Sequence, residues 1–100
     1  TATMEIALER IANMRDGELD LSNLGLTELP QLPSTLKYLY CSRNQLTELP
    51  QLPSTLMYLY CEGNQLTSLP PLPSMLKNLI YSGNPIQYPP ADVMKKIIRI

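Results

Sequence analysis

One segment of the chain is repeated almost letter for letter. Residues 31–50 read QLPSTLKYLYCSRNQLTELP, and residues 51–70 follow at once as QLPSTLMYLYCEGNQLTSLP. The two blocks differ only at the pairs Lys37/Met57, Ser42/Glu62, Arg43/Gly63 and Glu48/Ser68. Weaker copies flank them, and Leu, Asn and Pro stay in column when the chain is divided into 17–35, 36–55, 56–75 and 76–90. A fixed period of this length indicates an architecture of stacked units.

Within each copy, the spacing of apolar residues predicts one turn of a coil. Leu39 and Cys41 are two residues apart, which is the period of a strand. The next interval, from Leu46 to Leu49, is three residues and is typical of neither a strand nor a long helix. Prolines then follow at positions 50 and 53, which excludes an α-helix and favours an extended, polyproline-like return.

Stacked turns of this kind place their strands side by side in a parallel sheet, about 4.8 Å apart. The Leu and Cys columns then point inward and form a continuous core. Asn44, Asn64 and Asn84 stand where each strand ends, and their amides can pair with backbone groups that a bend leaves free. We therefore predict a structural ladder of these three asparagines. In the first copy the same column holds Leu24.

The pattern Leu-x-x-Leu-x-Cys-x-x-Asn-x-Leu-x-x-Leu-Pro, from Leu36 to Pro50, resembles the leucine-rich repeat. The 20-residue length and the Leu-Pro-x-Leu-Pro segment look like its short bacterial subclass, known from effector proteins secreted into host cells. The resemblance covers residues 17–90. It implies an α/β repeat fold, a right-handed solenoid with a parallel concave sheet and an extended convex side. It also implies a recognition scaffold whose concave sheet binds a protein.

The two ends of the chain predict helical caps on a single domain spanning 1–100. Over residues 1–16, apolar residues fall on one side of a helix. They are Met4, Ala7, Leu8, Ile11 and Met14. Thr3 is the expected N-cap, and Gly17 the expected stop shortly after the helix. Residues 91–100 follow two prolines and show a similar spacing, so a second capping helix is expected there.

Strand residues between the inward columns are the predicted binding site. The set comprises Tyr38, Tyr40, Ser42, Tyr58, Tyr60, Glu62, Asn78 and Ile80. Its four tyrosines form a two-by-two grid, and tyrosine gives large, rigid contact area at interfaces. The alternative is structural, because stacked tyrosines also stabilise a sheet. In the first copy the same columns hold Glu18, Asp20 and Ser22. Asp16, Glu18 and Asp20 alternate in the sequence, and we interpret these three as a solvated acidic rim.

The composition argues against catalysis and against a metal site. There is no His, which removes the commonest general base and metal ligand. Cys41 and Cys61 occupy the inward column, so we expect them to be small buried hydrophobes in a reducing compartment. A disulfide between them is the alternative. No catalytic residue, metal ligand or cofactor is therefore predicted.

Charge and hydropathy limit the partners. The formal net charge is -1, and the charged residues are scattered, so neither nucleic acid nor a membrane is expected as a partner. The first residues lack the basic start and apolar centre of a secretory signal. We expect a cytoplasmic or other reducing location, and the resemblance implies that delivery into a host cell is a further option.

Three functions remain open from the sequence. The first is a non-enzymatic module that binds a protein on its concave, tyrosine-rich sheet. The second is the substrate-recognition segment of a larger effector enzyme of the ubiquitin-ligase type, which the resemblance implies. The third is a structural repeat protein that self-associates into a homo-oligomer. Two capping helices would favour the first over the second.

Overall fold

The computed structural model describes residues 2–86, with side chains from Thr3 onward. One helix and four short strands follow one another along the chain. They are α1 (Ala2–Ala12), β1 (Glu18–Asp20), β2 (Tyr38–Tyr40), β3 (Tyr58–Tyr60) and β4 (Asn78–Ile80). The strands form one parallel sheet in the order β1-β2-β3-β4. This is the stacked parallel sheet that the repeat predicts.

The register of the sheet equals the period of the sequence. Leu19 lies beside Leu39, Leu39 beside Leu59, and Leu59 beside Leu79. Each step along the sheet is therefore a step of one repeat. In every strand the central leucine is buried, and its two neighbours are more exposed. The strand alternation read from the sequence is confirmed, although each strand is only three residues long.

A single core runs through the coil, built from the Leu and Cys columns. Its buried members are Ala7, Leu19, Leu21, Leu26, Leu29, Leu36, Leu39, Cys41, Leu46, Leu49, Leu52, Leu56, Leu59, Cys61, Leu66, Leu72, Leu76 and Leu79. Since leucines from neighbouring repeats share this cluster, no repeat buries its apolar edge alone. Between β1 and β4, over residues 21–77, the chain forms no helix, and its only strands are β2 and β3.

The asparagines hold neighbouring turns together through their side chains. Asn64 Nδ2 donates to the carbonyl oxygens of Cys41 (3.0 Å) and Cys61 (2.9 Å), which belong to successive repeats. Asn64 Oδ1 accepts from the backbone N–H groups of Asn44 (3.2 Å) and Leu46 (3.1 Å). A longer bond joins Asn64 Nδ2 to the Glu62 carbonyl oxygen at 3.3 Å. One amide therefore bonds to five backbone groups across two turns, and three of these five hydrogen bonds run to the preceding repeat.

The other two asparagines repeat this arrangement with small differences. Asn44 Oδ1 accepts from the N–H groups of Leu24 and Leu26, both at 3.0 Å. Asn84 Oδ1 accepts from the Leu66 N–H at 2.9 Å, and its Nδ2 reaches carbonyl oxygens of the third and fourth repeats. Asn44 and Asn64 are buried, whereas Asn84 is half-buried.

In each repeat, the residue just before the asparagine position, which Leu24 occupies in the first repeat, has a left-handed backbone. The φ angles are 60° at Asn23, 56° at Arg43, 71° at Gly63 and 71° at Gly83. A residue with a Cβ is strained in this region, whereas glycine is not. The chain therefore leaves each strand through a left-handed residue. This residue is glycine in the last two repeats, and it carries a Cβ in the first two.

Helix α1 packs beside β1, at the first-repeat end of the sheet. Ala7 is 0% exposed and joins the core, with Met4, Ile11 and Met14 packed against it. Two details of the prediction were wrong. Leu8, expected to face the core, is 51% exposed. Thr3 lies inside the helix and is not its N-cap, because α1 begins one residue earlier.

The helix also covers the free edge of the sheet. Arg10 Nη1 donates to the backbone carbonyl of Asp20 at 2.8 Å, which satisfies an acceptor on the outer strand. The predicted second capping helix, over residues 91–100, lies outside the described residues. None of the helical structure within 2–86 is long and apolar enough to cross a membrane.

Candidate functional site

The tyrosine cluster, formed by Tyr38, Tyr40, Tyr58 and Tyr60, lies on one face of β2 and β3. The register places Tyr38 beside Tyr58 and Tyr40 beside Tyr60. Both cross-strand pairs meet edge to face, with ring centroids 4.9 Å and 5.2 Å apart. Along β3, the rings of Tyr58 and Tyr60 are parallel, with centroids 6.4 Å apart. These are favourable aromatic geometries, so the four rings form a continuous surface.

The face of the sheet that carries these rings stays accessible. All four tyrosines are half-buried, while the leucines between them are buried. Partial burial raises the pKa of Tyr40 above its ordinary value. The negative charge of Glu18 adds to this effect on the pKa, with smaller contributions from Tyr60, Tyr38 and Asp20. Burial and the nearby negative charges therefore both disfavour the phenolate form of Tyr40.

The remaining residues predicted to bind lie around this cluster. Asn78 and Ile80 are half-buried on β4, in register with the two tyrosines of β3. Ser42 and Glu62 lie two residues beyond the last residues of β2 and β3, and the Ser42 hydroxyl donates to Glu62 Oε1 at 2.7 Å. The structure thus brings all eight predicted residues to one region. Their role in binding stays a prediction.

Two acidic residues on the other flank were left out of the predicted binding set. Glu18 lies beside Tyr38, and Asp20 lies beside Tyr40, both exposed on β1. Asp20 Oδ1 accepts from the Ser22 N–H at 2.9 Å, which holds its carboxylate close to the strand. The signal that points to them is the 20-residue offset from the tyrosines, which places them in the same two columns.

Basic side chains extend from both ends of β2 across glycines of neighbouring repeats. A Cβ at Gly17 would lie 2.9 Å from Lys37 Cγ, so the lysine stem crosses that glycine. A Cβ at Gly63 would lie 3.3 Å from Arg43 Cγ. Lys37 and Arg43 are two of the four residues that differ between the second and third repeats. Lys37 directly precedes β2, whereas Arg43 lies three residues beyond its end.

The two cysteines are free and buried in the core. Burial raises the pKa of the Cys41 thiol well above its usual range, with Cys61 and Glu62 adding to the effect. Burial, and then Glu62, raise the pKa of Cys61 to about 12. The thiolate is the nucleophilic form, so neither residue is suited to nucleophilic catalysis near neutral pH. No disulfide joins Cys41 to Cys61, and both side chains are buried in the core as small hydrophobes.

A metal centre has no support in the part of the chain that is described. Among residues 2–86, no three His, Cys, Asp or Glu side chains are grouped closely enough to hold an ion. Asp16, Glu18 and Asp20, which alternate in the sequence, are included in that result.

A shallow open groove lies away from the tyrosine cluster, on the Leu-Pro segments. Its volume is about 1020 Å³. Prolines and leucines such as Pro53, Leu52 and Leu72 line it, with no charged side chain. The groove follows from the regular spacing of the Leu-Pro segments in successive repeats. It has no group that could act as acid, base or metal ligand.

A parallel sheet with a 20-residue register, an inward Leu/Cys core and bridging asparagines define the class of the protein. The chain is a leucine-rich repeat protein. A family model described as Leucine Rich Repeat matches residues 35–56, which span one repeat. The sequence resemblance is thereby confirmed.

Solved structures give the particular relatives. The leucine-rich repeat domain of a Shigella effector is 40% identical over 87% of this chain and 41% of that chain, with a TM-score of 0.84. YopM from Yersinia enterocolitica is 43% identical over 86% of this chain and 20% of its own, with a TM-score of 0.82. YopM from Yersinia pestis, a leucine-rich effector protein, is 40% identical over 86% of this chain and 25% of its own length, with a TM-score of 0.79.

The match covers most of this chain but a minority of each relative. The chain spans between a fifth and two fifths of the effector chains with which it aligns. A search of the curated proteins found no match. The repeats are therefore similar to those of bacterial effectors. The similarity covers only the repeats and does not extend to the remaining parts of those effectors.

Proposed function

We propose that this chain is a non-enzymatic module that holds a protein partner on the face of its sheet that carries the tyrosine cluster. The observation that supports the proposal is a continuous aromatic surface, half-buried and covered by none of the helices and strands within residues 2–86. Adjoining aromatic rings on an open face are more typical of an interaction site than of an ordinary surface.

The family supports the same reading. Leucine-rich repeats are solenoids, whose curvature gives an extended concave surface for binding. We infer that the tyrosine face is this concave surface, and that the coil is right-handed. The relatives are effectors, which supports delivery into a host cell. The free, buried cysteines support a reducing compartment as the working location.

The direct test removes the aromatic surface and keeps the strands. In the test variant, threonine replaces Tyr38, Tyr40, Tyr58 and Tyr60. Threonine retains high strand propensity, so circular dichroism should show a folded protein. The control variant is Gln31→Ala/Gln51→Ala, on exposed residues that line the groove on the Leu-Pro segments. Each immobilised protein is offered a host-cell extract, and the bound proteins are compared.

The proposal expects a partner that binds the intact chain and the glutamine variant and is lost from the folded tyrosine variant. If that variant stays folded and retains every bound protein, the cluster serves the sheet alone. The structural interpretation would then replace the binding one.

A second candidate is that the module is the recognition segment of a longer effector. It is favoured by the relative described as the leucine-rich repeat domain of an effector, and by the small share of each relative that aligns. Mass spectrometry of the native protein distinguishes the two. A mass well above 11.3 kDa supports a longer protein, and its further residues would then carry any catalysis.

Self-association through the tyrosine faces is the third candidate from the sequence. Light scattering of the intact chain and of the tyrosine variant tests it. An assembly that dissociates only in the tyrosine variant would identify a second copy of the chain as the partner.

A further inference from the structure

We propose that the partner presents an extended, basic segment, whose arginine or lysine side chains lie over Tyr38 and Tyr40 against the carboxylates of Glu18 and Asp20. This inference rests on the proposed function and names the chemistry of the partner. The geometry that supports it is one acidic column and one aromatic column in register on adjacent strands.

The acidic and aromatic side chains form two matched pairs. Glu18 pairs with Tyr38, and Asp20 pairs with Tyr40, across adjacent strands about 4.8 Å apart. A guanidinium or ammonium group is attracted to the face of an aromatic ring and to a carboxylate. Each pair therefore offers both elements of a site for one positive charge.

The carboxylates of these pairs are not neutralised within the described part of the chain. Neither Glu18 nor Asp20 forms an ion pair there. Arg10, the basic residue bonded to β1, donates to the carbonyl of Asp20 and not to its carboxylate. The negative charges of Glu18 and Asp20 contribute to the raised pKa of Tyr40, so both carboxylates act on the aromatic column.

The spacing of the two pairs suits an extended peptide. Residues two apart on a strand are about 7 Å apart, which is also the distance between alternate side chains of an extended chain. Basic residues at positions i and i+2 of a partner would therefore meet both pairs at once. Lys37 places positive charge at the beginning of β2, so the pair at Asp20 and Tyr40 should be the stronger of the two.

The opposite flank of the cluster differs in charge. There Asn78 and Ile80 lie beside Tyr58 and Tyr60, and neither carries a charge. A basic segment is therefore attracted to the β1 side, and its less polar residues face β4. Glu62 lies two residues beyond the end of β3, and its carboxylate accepts a hydrogen bond from the Ser42 hydroxyl at 2.7 Å. Among the strand residues, acidic side chains occur only on the β1 flank of the cluster, so we place the cationic contact there.

The test uses a defined peptide and the whole chain. Acetyl-Gly-Arg-Gly-Arg-Gly-amide is titrated into the ¹⁵N-labelled protein at low salt, and the same peptide with Gln in place of Arg is the neutral comparison. We expect the arginine peptide to bind about tenfold more tightly than the glutamine peptide. Amide shifts should concentrate on residues 18–20 and 38–40, and the binding should weaken as salt is added.

Matched variants separate local contacts from net charge. Glu18→Gln/Asp20→Asn is nearly isosteric and keeps an acceptor for the Ser22 N–H. Glu28→Gln/Glu48→Gln removes two other exposed carboxylates, and so changes the net charge equally. The first variant should bind the arginine peptide about fivefold more weakly, and the second should stay within about twofold of the intact chain.

Three results would overturn the inference: no shift at about 10 mM arginine peptide, no preference over the glutamine peptide, or equal weakening in both variants. None of them contradicts the proposed function, which is tested separately by threonine in place of the tyrosines. If capture of the partner requires the tyrosines but binding of the arginine peptide does not require Glu18 and Asp20, the proposed binding function is retained. The proposal of a basic partner is then rejected.

Discussion

Single residues in this fold differ widely in importance, and the asparagine columns show why. Asn64 is buried, and its amide satisfies backbone groups of Asn44, Leu46, Cys41 and Cys61. The column could be predicted from the sequence, because asparagine recurs where each strand must end. The partners could not, since three of these four bonds reach across to a neighbouring turn. They depend on how two turns stack.

Replacing Asn64 should therefore be costly. In Asn64→Ala, two buried N–H groups lose their side-chain acceptor, and three carbonyl groups lose one donor. We expect the free energy of unfolding to fall by about 3 kcal/mol or more. Urea denaturation followed by circular dichroism measures the loss. The control is Gln65→Ala, at the next residue, which is exposed and should change stability by no more than about 0.5 kcal/mol. Equal losses in both variants would contradict the bridging role.

Arg43 gives the opposite prediction, a gain in stability. Its backbone is left-handed at a φ of 56°, where the next two repeats carry Gly63 and Gly83. Arg43→Gly should raise the free energy of unfolding by about 0.5–1 kcal/mol, because strain at a residue with a Cβ is relieved. Arg43→Ala keeps the Cβ and serves as the control. If the glycine variant is no more stable than the alanine variant, strain at this turn is not the cause.

At the scale of elements, the strands were predictable and the helix only partly so. The strand positions could be predicted from Leu39 and Cys41, because apolar residues two apart in a short stretch indicate a β-strand. Helix α1 was predicted from the spacing of its apolar residues, but Leu8 is 51% exposed. The cause is physical: α1 packs beside one short strand, so its contact stripe is narrow and is centred on Ala7, which is 0% exposed.

Helix α1 should protect the end of the core. Deleting residues 1–14 removes the cover that Ala7, Ile11 and Met14 provide, and the exposed leucines of the first repeat should then cause aggregation. Light scattering and thermal melting measure the result. Leu8→Gln is the control, because this side chain is exposed and its loss should leave both readouts unchanged. A truncated protein that keeps the size and melting temperature of the intact chain would argue against a capping role.

At the scale of the whole molecule, stability should depend on the number of turns that remain in register. The core is continuous from the first repeat to the fourth, and among the helix and strands of residues 2–86 each element contacts only the elements next to it. In such solenoids, stability is close to a sum of repeat and interface terms. The 20-residue period could be predicted from the sequence, because two repeats are nearly identical. The partner surface could be read only in part, since the acidic flank of the tyrosine cluster depends on which strand lies beside β2.

A duplicated repeat tests this additivity. Inserting a second copy of residues 51–70 after Pro70 preserves the register and adds one interface. The free energy of unfolding should rise, and the sheet signal in circular dichroism should increase. Inserting residues 51–60 alone adds half a period and should disrupt the stack, so that variant is the control. If both insertions have the same effect on urea unfolding, the 20-residue unit is not what stacks.

The register itself is tested most directly by nuclear Overhauser contacts in solution. Parallel pairing predicts backbone contacts between strands at offsets of about 20 residues, from Leu39 to Leu59 and from Leu59 to Leu79. It also predicts ring contacts from Tyr38 to Tyr58 and from Tyr40 to Tyr60. Cross-strand backbone contacts that join Tyr38 to Tyr60, as antiparallel pairing requires, would contradict the account.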